Sequence, residues 1–172
     1  NGQFYGVETL NHKTGKIIRK GMDPEKILSK LLDVKDQFKK YNHGKYRGTI
    51  SLILGLPYET RETLEKSLKW LETEWVGESY VTHSLRINKD EFADKLSDLD
   101  LNYAKYGYYD NGDFSEKFKS KYITSGMSLR EKWGNKLNWK NDNLSFEDVV
   151  EMENNFYFKT KDAKNFGTDR TR

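Results

Sequence analysis

Cysteine is absent from this 172-residue chain. That excludes disulfides, thiolate zinc sites and iron–sulfur clusters held by the polypeptide's own cysteines. Proline is nearly as scarce, with two residues, Pro24 and Pro57, each able to punctuate the backbone. No run approaches the roughly 18 apolar residues of a membrane span, and the first residues lack the basic-then-apolar order of a signal peptide, so the chain reads as cytoplasmic. Charge of one sign is also missing. Thirty basic and 27 acidic side chains leave a net +3 without long blocks, which predicts solubility and points away from membrane and nucleic acid as partners.

Aromatic residues are plentiful at 14% while hydrophobic residues reach only 35%, so the core must lean on rings. The length suits one domain or part of a larger one. His12, His43 and His83 fall in three segments without metal-ligand spacing, and no metal site is expected from them. The sequence enters strand-like residues at once, without an initiator methionine, and reads as a piece of something longer.

Phe4, Tyr5 and Val7 predict a strand ending near Glu8, followed by a short helix over 12–20 closed by Gly21. Asp23-Pro24-Glu25 is a helix start: an N-cap acceptor, a proline at the first helical position, and an acid near the positive end. Ile27, Leu28, Leu31, Leu32 and Phe38 then make one apolar stripe, predicting a helix over about 24–40. Thr49 to Leu54 is nearly continuously apolar, as in a strand covered on both faces. Thr60 caps the next helix, with Leu64, Leu68 and Leu71 inward, and Tyr80 to Ile87 is a third strand. Strands alternating with helices in this way predict parallel βαβ units. Residues 97–126 are rich in tyrosine, glycine and charge, with poor periodicity and a turn at Asp110-Asn111-Gly112-Asp113. Helical pieces return at about 128–137 and, behind Ser145, at about 146–158. The last residues read as frayed.

In parallel α/β folds ligands sit at the carboxyl ends of strands. The first end offers Glu8 and Thr9. The second offers Ser51 and Ile53, with Gly55-Leu56-Pro57 after them, and the third His83 to Arg86. A carboxylate and a hydroxyl at neighbouring ends could grip a vicinal diol such as a ribose, and Ile53 could face a flat ring. Plainer roles compete: Glu8 capping a helix or pairing with a lysine, Ser51 filling a tight interior, Glu59 complementing a helix dipole. Glu8 and Glu59 as a glycosidase pair is a weaker option. The stretch Tyr103 to Tyr122 could stack single-stranded bases, but its acids argue for a tyrosine-rich cover over a small core instead.

The strand-end Gly6-Val7-Glu8-Thr9, followed by Gly55-Leu56-Pro57-Tyr58-Glu59-Thr60, resembles radical S-adenosylmethionine (radical SAM) enzymes, in the branch with cobalamin-dependent and coproporphyrinogen-type members. There a G-[VI]-[EQ]-[ST] strand-end precedes a G-L-P-x-[EQ]-T strand-end. The resemblance covers residues 2–87. It implies an α/β fold: a partial, half TIM-type parallel βα barrel over 1–90 and a mixed, mainly helical extension over 91–172. It also implies S-adenosylmethionine as cofactor, with Glu8, Thr9 beside it, and Ser51 toward ribose, Ile53 against adenine, Gly55 and Leu56 shaping the turn, and Arg86 near the adenine edge. The family's 4Fe–4S cluster is held by a C-x3-C-x2-C loop that this chain lacks, so the cluster would belong to a parent protein only. Cobalamin could accompany it there. The parent reaction would be hydrogen abstraction from an unknown substrate by a 5′-deoxyadenosyl radical. Either a fragment or a degenerate relative fits these facts, and the other class of reading is a non-enzymatic α/β binding or assembly module. Cut from a barrel, such strands leave open edges, which predicts pairing with a missing half or self-association.

Overall fold

The computed structural model describes residues 3–20, 23–41, 43, 46, 48–89, 96–122 and 136–162, with side chains through 157. The elements run β1 (Gln3–Glu8), α1 (His12–Ile17), α2 (Pro24–Tyr41), β2 (Gly48–Leu54), α3 (Arg61–Thr73), β3 (Ser79–Ser84), α4 (Asp98–Leu101), a 3-10 turn (Tyr103–Tyr106), β4 (Tyr109–Asp110), α5 (Glu116–Tyr122), β5 (Trp139–Lys140) and α6 (Phe146–Asp162).

Local chemistry explains most helix starts. Asn11 Oδ1 accepts from the N–H groups of Lys13 and Thr14, and Asp23 Oδ1 accepts from Glu25 N–H at 3.0 Å. Thr60 and Thr63 cap each other's backbone at the start of α3, and Ser145 and Asp148 do the same before α6. Helix α1 stops three residues short of Lys20, where Arg19 turns to a left-handed φ of 57°.

The main sheet has the order β1-β2-β3, parallel throughout, with α2 and α3 as the crossovers that parallel neighbours require. This bears out the α/β reading with a three-stranded parallel sheet. Alternation along the strands then sorts the side chains. Ile50, Leu52 and Leu54 share the first face with Tyr5 and with Tyr80, Thr82 and Ser84, and each of the three is 1% exposed. This face joins Leu31 of α2 and Leu64, Leu68 and Leu71 of α3 in one apolar cluster. Thr49, Ser51 and Ile53 share the second face with Phe4, Gly6, Val81 and His83. Phe4 is 67% exposed there, and Gly6 and His83 are open to solvent. The expectation that β2 is covered on both faces holds fully for the first face and in part for the second, where Ser51 is buried and Thr49 and Ile53 are half-buried.

The same cluster continues into the C-terminal part through Tyr108, Phe118, Trp139, Phe146 and Val149. Tyr108 and Trp139 meet edge to face at 5.1 Å, Trp139 Nε1–H donates to Leu85 O at 2.9 Å, and Leu137 N–H donates to Ile87 O. Strand β3 therefore ends at Ser84 rather than Ile87: Leu85 still donates to Leu54, but Ile87 has turned to a different partner. Of residues 97–126, where the sequence shows poor periodicity, 97–122 are described and hold α4, the 3-10 turn, β4 and α5; β4 pairs antiparallel with β5. The helix expected at 128–137 falls mostly outside the described residues, and Lys136, its described end, bridges Asn88. No helix among the described residues is long and apolar enough to cross a membrane.

Candidate functional site

The end of β1 is built by a break in its register. Gly6 pairs with Ser51 and Glu8 with Leu52, so Val7 is the extra residue of a bulge. Glu8 then takes a left-handed φ of 68°, unusual for a residue with a Cβ, and Thr9 N–H closes back on Val7 O at 2.9 Å. The turn folds the Glu8 side chain back along its own strand. Its Oε1 lies 2.7 Å from the point where a Cβ on Gly6 would stand, so a larger residue at position 6 would push the carboxylate out of this place. Because Gly6 is the register partner of Ser51, the carboxylate lies over the second face beside that serine. Ile53 follows two residues along on the same face, half-buried, with His83 across from it. Ser51 is 7% exposed, and its hydroxyl has no hydrogen-bond partner among the described residues. Lys20 Nζ stands 3.6 Å from Glu8 Oε1 and donates to Gly6 O at 3.1 Å. Glu8 thus has the lysine neighbour that its plainer reading foresaw, at the long, half-exposed distance of a weak pair.

The other residues singled out from sequence lie elsewhere. Thr9 is buried, and its hydroxyl donates to Glu59 Oε1 at 2.6 Å. Gly55 has φ 90°, and a Cβ there would stand 2.7 Å from Trp139 and 3.2 Å from Val149, so its backbone approaches protein and not an open cleft. Gly55 and Leu56 spend their N–H groups on Glu59 Oε2 at 2.8 and 3.0 Å, and Gly55 O accepts from the Tyr108 hydroxyl at 2.7 Å. Arg86 is exposed beyond the end of β3.

Glu59 is the residue that sequence reasoning misplaced. It precedes the Thr60 cap, is 3% exposed, and accepts from one hydroxyl and two backbone N–H groups. It therefore does not serve the helix dipole from an exposed first turn, and it is too enclosed to face Glu8 across a cleft. Burial pushes its carboxyl up to about 7, against the opposing pull of its three donors. Thr14 Oγ1–H donates to Pro57 O at 2.6 Å, tying α1 to the same turn. A signal existed in the sequence: a glycine turn after a buried strand exposes N–H groups that need an acceptor, and Glu59 is the acid four residues on.

A cavity of about 480 Å³ opens at the opposite, amino-terminal end of the strands, against Gln3, Phe4, Tyr46, Thr49, Glu78 and Ser79. Glu78 is neutralised there by Lys39 at 2.5 Å, and the cavity is far along the strands from Glu8. Ligands of parallel sheets bind at the carboxyl ends, so the Glu8 end carries the stronger claim. Among the described residues no three His, Cys, Asp or Glu side chains gather as a metal site.

No family model matches this chain, and no solved structure matches it. Over 72 residues, 42% of its length, it is 35% identical to the DNA-directed RNA polymerase subunit beta′ of Petrotoga mobilis. The matched stretch is 4% of that subunit, so the chain spans a small fraction of it, and the likeness assigns no family.

Proposed function

We propose that this chain supplies the ribose and adenine side of an S-adenosylmethionine site, as the second half of a βα barrel of the radical SAM kind. One observation carries the reading: the Glu8 carboxylate is folded over Gly6 into the lane of Ser51 and Ile53, on a sheet face where Gly6 and His83 are exposed. Glu8 accepts from a ribose hydroxyl, Ser51 accepts from or donates to its neighbour, and Ile53 lies against the adenine. The weak Lys20 pair leaves Glu8 available, because a directed O–H donor competes well with a long ion pair in contact with water. Thr9, Gly55 and Leu56 support the rim from beneath rather than touching the nucleoside.

The 4Fe–4S cluster does not fit these residues, since the chain has no thiolate to offer. Its part is binding and orientation, and the hydrogen abstraction belongs to the parent protein.

Titration of the isotope-labelled chain with adenosine, and with 2′,3′-dideoxyadenosine as control, tests this. Adenosine is expected to shift the amide signals of Glu8, Ser51 and Ile53. Removing the diol, or the Glu8→Gln change, weakens binding about tenfold, as befits the loss of one hydrogen bond to a charged acceptor. Shifts confined to the amino-terminal cavity, or equal affinity for both nucleosides, would overturn the reading and leave the assembly module, for which the exposed Phe4 on β1 also speaks.

A further inference from the structure

We propose that Glu59 is a positioning residue that acts on Glu8 through Thr9, holding the end of β1 in the conformation that keeps the Glu8 carboxylate over Gly6. The inference rests on the nucleoside reading for its purpose but not for its geometry. Glu8 is strained, as Tyr58 beside Glu59 is at φ 66°: a left-handed φ on a residue with a Cβ persists only when its surroundings over-determine it. Its next neighbour, Thr9, is the anchor. The Thr9 hydroxyl donates to Glu59 and accepts from Asn11 N–H at 3.1 Å, while its own N–H closes the turn on Val7. On the far side, Glu59 Oε2 grips Gly55 and Leu56 N–H, so one carboxylate links the ends of β1 and β2. The two strands carry Glu8 and Ser51, so the link sets the spacing of the pair that would clasp a diol.

The grip depends on charge. An ionised carboxylate accepts all three bonds strongly. Protonation puts a hydrogen on one oxygen, forces the Thr9 bond to reverse, and replaces charge-assisted bonds by ordinary ones. Burial brings that change near neutral pH. Few other titratable groups face Glu59 among the described residues. Tyr108, in the segment before β4, is the one whose charge couples to it, and burial holds its phenol neutral well above the physiological range. Thr9 and Thr14 from the β1–α1 side and Val149 from α6 carry no charge. Lys13 sits over the exposed Tyr58 ring, and Arg61 pairs with Asp148 at the surface.

The test follows the Glu8 amide signal and adenosine affinity from pH 5 to 9. In the wild type both are expected to titrate together with a midpoint near 7. Glu59→Gln should abolish that titration, because its amide oxygen accepts from Gly55 and Leu56 while its NH2 donates to Thr9 at every pH. Thr9→Val should displace the Glu8 signal and lower affinity about tenfold, and Thr9→Ser should restore both. A Glu8 signal that ignores Thr9→Val, or titrates unchanged in Glu59→Gln, sinks the proposal. If the wild type binds no adenosine, the nucleoside reading falls, and the Glu8 signal alone still decides the role of Glu59. Should Thr9→Val fail to fold, the Glu59→Gln titration decides.

Discussion

Glu59 is bonded to three donors yet titrates high, because removing a carboxylate from water outweighs what those donors return. The sign for stability follows from linkage. The folded value of about 7 lies above the ordinary 4.5, so between these limits the native state binds more protons than the unfolded one. This group's stabilisation is full below about pH 4.5 and is lost as pH rises through about 7. The loss is worth about 3 kcal/mol over that window. Urea unfolding of wild type and Glu59→Gln at several pH values should show the variant gaining on the wild type as pH rises; parallel profiles would refute it. Gly55 allows a second residue-scale prediction. Gly55→Ala combines a left-handed backbone with a Cβ 2.7 Å from the Trp139 ring, and should cost about 3 kcal/mol in denaturant unfolding.

At the scale of elements, helices with local start signals matched their sequence reading closely. Asp23-Pro24-Glu25 opens α2, Thr60 opens α3 and Ser145 opens α6, each through bonds to backbone within three residues. Thr60→Ala should therefore cost about 1 kcal/mol, read as a shifted urea midpoint, since it leaves Thr63 N–H without its cap. The elements that escaped sequence reading are short: β4 and β5 have two residues each and α5 has seven. Such pieces lack a periodic pattern and are held from outside. Ser115 before α5, for example, is bonded through backbone and hydroxyl to Glu147 of α6. Tyr108 at 1% exposure shows the tyrosine-rich stretch acting at this point as a cover over the core.

For the whole molecule, the two edges of the main sheet differ. Leu85 N–H points to β2, so the N–H of Ser84, one residue earlier, points outward, and there Glu153 of α6 accepts it at 3.1 Å while also taking the Ser84 hydroxyl. That edge is blocked at its carboxyl end. The β1 edge has no partner among the described residues and carries the exposed Phe4. Self-association is accordingly predicted to run through β1, giving a closed two-fold pair and not a filament. Sedimentation over a range of concentrations should show a dimer that Phe4→Glu disperses, while a monomer at every concentration would count against it.

By itself the sequence determined the helix starts, the alternation of strand and helix that makes the sheet parallel, and the strand ends worth examining, because each depends on neighbours within a few residues. It also brought Glu8, Ser51 and Ile53 forward together. Only the tertiary structure decided that Glu8 folds back over Gly6, that Glu59 is buried, and that Gly55 is pressed under Trp139. The last two outcomes join groups 50 and 84 residues apart, Thr9 with Glu59 and Gly55 with Trp139, while the first hangs on a strained turn whose purchase beyond the neighbouring strand, through Thr9, lies 50 residues away. Strand pairing and core packing bring such groups together, and no local pattern records which buried donor a distant carboxylate will meet.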